Sequence, residues 1–510
     1  MRLTPSNSAP LDVVTIEQGT RDWRRVVAAA VGVLAVFVGF LVWASSSPVG
    51  ASPDDDYHLG SVWCPWPVAD SGCDYTVEDG EIATVGVPES VAGSAACYAF
   101  HPEISAECTE TLSDNDIVQT ERFDDGTYPP GYYQLHRLLV GGDVFHSIMV
   151  MRVVNVVLGL GGLVLVAAFA SRKLRPALFL AATVAWVPMG VYFIASNNPT
   201  SWAITGVLIY AAATIAAAEA VGWRRWAEVA MMVFGTVLAA TSRADSAFYV
   251  FVVTLALWLL IPIRRQRRSI FVWSVGLTLL SLLMFLRAGQ VGSLTDSGGW
   301  PVDANASTLR VLINNIETIP DYIAGMWGYG AGPGWFDTTL DGWTVFGMLI
   351  VAGGVVFAGA REIGVRKALA SLVLIGAIAG IPIVSMTLRH VYPVNYYQPR
   401  YLLPLMAVFF LVWIAGMRQS TLMDRGMQWV LMVVFVCIAH AFALYRTIER
   451  FSVGVDGSLL HDSEWWPWGL SPLLTFVIGV VAMSSGVTLL SWLSFTSYRT
   501  IGSVREGAKQ

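Results

Sequence analysis

The chain has 510 residues, of which 55% are hydrophobic and only 13% charged, and its mean hydropathy is +0.58. A soluble protein carries about 25% charged residues, so this composition excludes a soluble globular enzyme. The net charge of −6 offers no basic surface for nucleic acid. What remains is an all-α polytopic membrane protein.

Arg21, Arg24 and Arg25 precede the first apolar run, 26–44, which is too long for the core of a typical cleavable signal. It reads as a retained first helix, although the Ala-Ser-Ser-Ser tract behind it also permits cleavage. Further runs lie near 148–170, 176–195, 200–221, 227–242, 246–263, 269–288, 342–360, 368–386, 401–417, 427–445 and 471–493. With the first they make about twelve crossings, each near the ~20 residues that span the hydrocarbon. Most Lys and Arg fall in alternate connections, such as 172–175, 224–225, 264–268 and 361–367. By the positive-inside bias both tails, 1–25 and 494–510, are then cytoplasmic. One transmembrane domain, 26–493, follows in the plasma membrane, with extracytoplasmic loops at 45–146, 289–341 and 446–470.

The first of those loops holds Cys64, Cys73, Cys97 and Cys108, while Cys437 stands alone in an apolar run. Four cysteines in one polar loop point to two disulfides in an oxidising compartment. Three pairings are possible; pairing in chain order closes two short loops and is preferred. A four-thiolate metal site lacks the tight Cys-x-x-Cys spacing. In the second loop Leu309, Leu312, Ile313, Ile316 and Ile319 recur at helical spacing, as in a helix lying at the interface. Trp465, Trp466 and Trp468 in the last loop read as interface anchors.

The chemistry gathers at Pro53-Asp54-Asp55-Asp56-Tyr57-His58, just beyond the first helix. Sugar transfer from a lipid phosphate needs a base for the acceptor hydroxyl. The phosphate leaves as a stable anion, so one carboxylate suffices where glycoside hydrolysis generally takes two. Adjacent aspartates point different ways, so one of Asp54 and Asp55 faces the site. The other positions the acceptor or holds a divalent cation, whose preferred ligands are oxygens. Asp56 reads as solvated, and His58 as orienting the turn or contacting substrate.

A leaving phosphate needs a cation at the outer mouth. Arg400, in Gln398-Pro399-Arg400-Tyr401, presents a planar fork there, unless it pairs with a loop carboxylate. Arg389 and His390 are second choices. Arg243 either pairs with Asp245 or makes a further donor contact, and Tyr132 or Tyr133 lines an acceptor cleft or simply supports a turn. The sequence holds no Walker loop, no dinucleotide fingerprint and no His-Glu-x-x-His. The cytoplasmic connections are too short to build a nucleotide-sugar site, so a transferase would draw on a lipid-linked donor.

Pro-Asp-Asp-x-x-His at 53–58, Tyr-Pro-Pro-x-x-Tyr at 128–133, Asn-Pro at 198–199 and Gln-x-Arg-Tyr-Leu-Leu-Pro at 398–404 occur in this order. Together they resemble the predicted membrane protein family catalogued as domain of unknown function 2142, over about residues 30–490. That family is similar to the GT-C glycosyltransferases, which use polyprenyl-phosphate-linked sugars and place an essential aspartate in the first outer loop. The resemblance implies Asp54 as base, Asp55 as its acidic neighbour and Arg400 as donor-phosphate contact. It implies an envelope glycan or glycolipid as acceptor. Asp55 departs from the family's usual glutamate, and Ser242-Arg243-Ala244-Asp245 stands where the family tends to have a Lys-Pro-Pro-Tyr-like element. A flippase for a lipid-linked glycan and a non-catalytic envelope-assembly subunit are the other readings. The transferase reading requires Asp54 and Arg400 to share one cavity, because reacting groups must meet within about 3.5 Å.

Overall fold

The computed structural model describes residues 23–262, 267–289, 302–303, 305–415, 426–460 and 463–507, with side chains through 494. Arg21, and Arg264 and Arg265 of the 264–268 connection, lie outside the described residues. Among the described residues there are nineteen α-helices and one three-stranded sheet.

Helix α1 (Trp23–Ser45) is a continuous apolar run that stops where Ser45 and Ser46 turn their hydroxyls back onto Val42 O and Trp43 O, ahead of Pro48. After α2 (Asp55–Trp63) the chain builds a polar cap. Strands β1 (Tyr75–Glu78), β2 (Glu81–Pro88) and β3 (Ile117–Thr120) pair antiparallel in the order β1-β2-β3. The register sets Tyr75 opposite Val85, and Val85 opposite Thr120. The β1–β2 hairpin turns on Asp79-Gly80, both at positive φ, which matches the strand twist and suits Asp-Gly. Helices α3 (Glu89–Ala92) and α4 (Ser94–Tyr98) follow β2. The cap carries the disulfides Cys64–Cys73 and Cys97–Cys108, the in-order pairing.

Helix α5 (Gly131–Arg137) leads from the cap to α6 (Val144–Phe169), where the Asp143 side chain accepts from His146 N and caps the first turn. The run expected at 176–195 is broken at Val187-Pro188 into α7 (Leu174–Trp186) and α8 (Met189–Ile194). Then come α9 (Thr200–Glu219), α10 (Trp223–Ser242), α11 (Ala244–Leu260) and α12 (Arg268–Arg287). Helices α13 (Thr308–Glu317) and α14 (Ile319–Gly325) precede α15 (Gly342–Ala360), α16 (Val365–Leu388), α17 (Leu403–Ile414), α18 (Gly426–Ser452) and α19 (Pro472–Gly507).

Among the described residues the apolar runs are largely helical, the one at 176–195 in two pieces. Among them eight helices are long and apolar enough to cross a membrane: α1, α6, α9, α12, α15, α16, α18 and α19. Helices α7, α11 and α17 are apolar but shorter, which suits elements surrounded by others. Helices α9 and α17 form the centre: Thr200–Ala218 and Leu403–Ile414 are buried without interruption. Helix α9 lies so close to α10 that a Cβ on Gly206 would sit 2.7 Å from Gly235 O, so only glycine permits this approach. Helices α1, α12 and α19 keep most of their apolar surface outward.

Helix α13 turns Val311 and Asn315 inward and exposes Leu309, Ile313 and Ile316 as an apolar outer face. The tryptophan cluster differs from expectation. Trp465 is buried, and the Trp468 indole donates to Ser45 O at 2.9 Å, so these rings fasten the last loop onto the end of α1.

Candidate functional site

The turn after α1 is held by its own carbonyl oxygens. Arg152 of α6, fully buried, donates from Nη1 to Ala44 O and Ser47 O at 2.8 and 2.7 Å, and from Nη2 to Pro48 O at 2.6 Å. The Tyr98 hydroxyl takes Val49 O, the Trp335 indole takes Gly50 O, and the Tyr192 hydroxyl takes Ala51 O. Ser52 O accepts from Asp55 N, and Pro53 O accepts from Asn198 Nδ2 at 2.9 Å and Arg400 Nη1 at 3.2 Å. Each carbonyl from 47 to 53 thus has a donor, drawn from the cap, α6, α8, the segment after α14 and both the Asn-Pro and Gln-x-Arg segments. A short irregular stretch is fixed as rigidly as a helix, because unpaired buried carbonyls are costly.

Asp54 stands at the end of this clamp with φ +63°, a left-handed conformation that Asp tolerates better than most residues. It precedes α2 but caps none of its N–H groups. Its carboxylate turns instead to two arginines: Arg400 Nη2 lies 2.7 Å from Oδ2, and Arg122 Nη2 lies 3.4 Å from Oδ1. Burial works to raise its pKa, but Arg400 and Arg122 outweigh burial and hold it below the usual carboxylate range. Asp54 is therefore an anion at neutral pH.

The three consecutive aspartates have three different fates. Asp55 is fully buried, and its two oxygens accept from the Ser52 N–H, at 3.0 Å, and the Ser52 hydroxyl. Burial pushes its pKa up to about 6 despite the nearby Arg152. Asp56, expected to be solvated, forms a two-pronged ion pair with Arg122 at 2.8 and 3.0 Å. Asp54 and Asp55 do not fit a shared divalent cation, since one faces arginines and the other is consumed by Ser52. Among the described residues no group of three or more His, Cys, Asp or Glu could hold a metal.

His58 lies one helical turn after Asp54, its N–H bonded to Asp54 O. Its Nδ1 is 2.9 Å from the Tyr133 hydroxyl, and its buried Nε2 has no partner. Burial holds its pKa down at about 3, so the ring is neutral. Tyr57, Tyr128 and Tyr133 pack around it. Tyr132 turns the other way, stacking on His136 and accepting from Asn155 Nδ2, and supports the bundle rather than the site.

Arg400 is 3% exposed, and Phe193, Phe336 and Tyr401 lie around its guanidinium at 5.2–5.4 Å. Beyond it is a narrow, mainly apolar recess lined by Met189, Phe193, Met326, Phe336 and Leu403. Arg243 is paired twice with Asp245, at 2.9 and 2.8 Å, and its guanidinium carbon stands 4.5 Å from the Tyr401 ring centre. Arg389 ends α16, and the neighbouring His390 Nε2 lies 3.4 Å from Thr308 Oγ1, on the flank of α13. Of the residues picked from sequence, Asp54, His58, Tyr133, Arg243, Arg400 and Tyr401 form one cluster. Asp55 and Tyr132 support it from behind.

The family model for predicted membrane proteins with the domain of unknown function 2142 matches residues 37–409. The chain belongs to this family. The match takes in Asp54, Tyr133, Arg243 and Arg400 and ends before α18 and α19. No curated protein and no solved structure shows significant similarity to the chain.

Sequence reasoning missed Arg122, Arg152 and Asp124. Arg152 carried a usable signal, being an arginine inside an apolar run. Arg122 carried none, because its partner Asp56 is 66 residues away. Asp124 accepts from the Tyr57 hydroxyl and Tyr128 N, and burial raises its pKa to about 6.

Proposed function

We propose that this membrane protein is an inverting glycosyltransferase of GT-C type. It moves a sugar from a polyprenyl-phosphate donor to a cell-envelope glycan or glycolipid on the extracytoplasmic face of the plasma membrane. Asp54 removes the acceptor hydroxyl's proton, and Arg400 receives the charge that develops on the departing phosphate. The observation that carries this reading is the 2.7 Å meeting of Asp54 and Arg400, which are 346 residues apart in the chain. A candidate base and a candidate phosphate cation share one point, beside closely packed apolar side chains.

The site is also divided in a way that suits two substrates. Arg400 is buried and faces the recess, whereas Arg122 is half-exposed and faces the cap. The lipid donor would approach from the first side and the glycan acceptor from the second. His58 is neutral and its Nε2 is unpaired but buried, so it meets a sugar hydroxyl only once the surrounding tyrosines move aside.

The test is sugar transfer by the purified full-length protein from a mixed pool of lipid-linked donors, comparing wild type with Asp54→Asn. Loss of transfer by about 10²–10⁴-fold in a folded variant is the expected outcome. Undiminished transfer would remove Asp54 as base. Lipid movement across the bilayer without transfer would assign the protein to a flippase instead.

A further inference from the structure

Two of the five guanidinium N–H groups of Arg400 are engaged. Nη1 is on Pro53 O and Nη2 is on Asp54 Oδ2, while Nε is buried without a partner. Three aromatic rings stand around the guanidinium. A phosphate therefore enters in the guanidinium plane, where Nε and the second N–H of each Nη remain to receive it. Bidentate recognition uses two N–H groups on one edge of the fork. The group that shares an edge with Nε is Nη2, the nitrogen on which Asp54 rests.

We propose that Asp54 and the donor phosphate are competing partners of Arg400, so that arrival of the lipid phosphate releases Asp54 to act on the acceptor. This rests on the donor-phosphate reading above. In the empty site Asp54 serves as counter-ion to a cation that would otherwise lie buried and unpaired, a costly state. When the phosphate takes the Nε and Nη2 edge, the Asp54 carboxylate swings toward the cap, where Arg122 already touches its other oxygen. Its left-handed backbone leaves the side chain uncommitted to α2, since it makes no cap hydrogen bond that would have to break. The base is thereby freed only when a donor is in place, which disfavours acceptor deprotonation in a half-filled site.

Competition has a signature that ordinary contact residues lack, because coupling between two partners of one group is reciprocal. Removing the carboxylate should tighten phosphate binding. The experiment measures binding of farnesyl phosphate to the full-length protein in nanodiscs of zwitterionic lipid, for wild type, Asp54→Asn, Asp54→Gly and Arg400→Gln. The glycine variant guards against misfolding, as glycine accepts φ +63° without strain. Asp54→Asn and Asp54→Gly should each bind about tenfold more tightly than wild type, and Arg400→Gln at least about tenfold more weakly. Inorganic phosphate, which brings no apolar chain, should bind far more weakly than farnesyl phosphate.

If both Asp54 variants bind no more tightly than wild type while Arg400→Gln still loses binding, the competition is overturned and Arg400 stands as phosphate contact. If wild type and Arg400→Gln bind alike, or neither binds, the donor-phosphate reading falls and the competition with it. Equal affinity for inorganic and farnesyl phosphate would overturn the lipid character of the ligand.

Discussion

Two buried arginines at the same end of the bundle do opposite work. Arg152 directs its bonds to backbone carbonyls at the end of α1, oxygens that cannot leave. Arg400 shares itself between one carbonyl and one carboxylate whose side chain is 39% exposed. Both arginines are desolvated cations that a membrane fold holds only at a cost. The partner separates them: a guanidinium on fixed carbonyls fills a structural demand, whereas one on a part-exposed carboxylate is the one proposed above to exchange partners. The same contrast divides Asp55, locked on Ser52, from Asp54 beside it.

The sharpest way to break this contrast is to remove each cation in turn. Arg152→Met strands three buried carbonyls and should cost about 3–5 kcal/mol of stability. Arg400→Gln leaves Asp54 partly solvated and should cost no more than about 2 kcal/mol. Thermal unfolding in detergent reads both, and equal losses would erase the distinction between clamp and site.

A second effect follows from Asp55. Its folded pKa, about 6, lies above the ordinary carboxylate value of 3.8, so the folded state holds more protons between those limits. Its contribution therefore falls as pH rises through 6 and is restored as pH falls toward 4. Asp55→Asn removes this dependence. Relative to wild type, the variant should gain on the order of 2–3 kcal/mol between pH 4 and pH 7.5. Melting temperatures of both proteins across that range check the sign, and parallel curves would show that Asp55 does not titrate there.

The smallest effect concerns Arg122. Its attraction helps keep Asp54 ionised, so Arg122→Gln should move the acid limb of transfer to higher pH. Because the pair is half-exposed, the shift should stay under about one pH unit. A shift toward lower pH would show that Arg122 does not act on Asp54 through its charge.

Much of the architecture could be read directly from residues, because spanning a bilayer demands long apolar runs, and those coincide with helices. The in-order disulfides were similarly legible, since each closes a short loop. The break at Val187-Pro188 was announced by its proline, but the run read as one span because its hydropathy is continuous. The tryptophans were misread because composition cannot tell an indole meeting lipid from one meeting Ser45 O. In the site, Asp54 and Arg400 were named from their motifs, but nothing in either motif says that they touch. Arg122 was invisible, being an isolated residue whose meaning depends on the folded cap.

By itself the sequence determined the membrane class, the helical segments and a short set of charged residues, because hydropathy and charge act locally and leave a pattern in the chain. The tertiary structure alone decided what each member of Asp54-Asp55-Asp56 does. Three adjacent carboxylates are chemically alike, and they differ only through the partners that distant segments bring: Arg400 and Arg122 to Asp54, Arg152 near Asp55, and Arg122 to Asp56. Electrostatic identity in a buried site is set by neighbours in space, and those neighbours lie tens to hundreds of residues away.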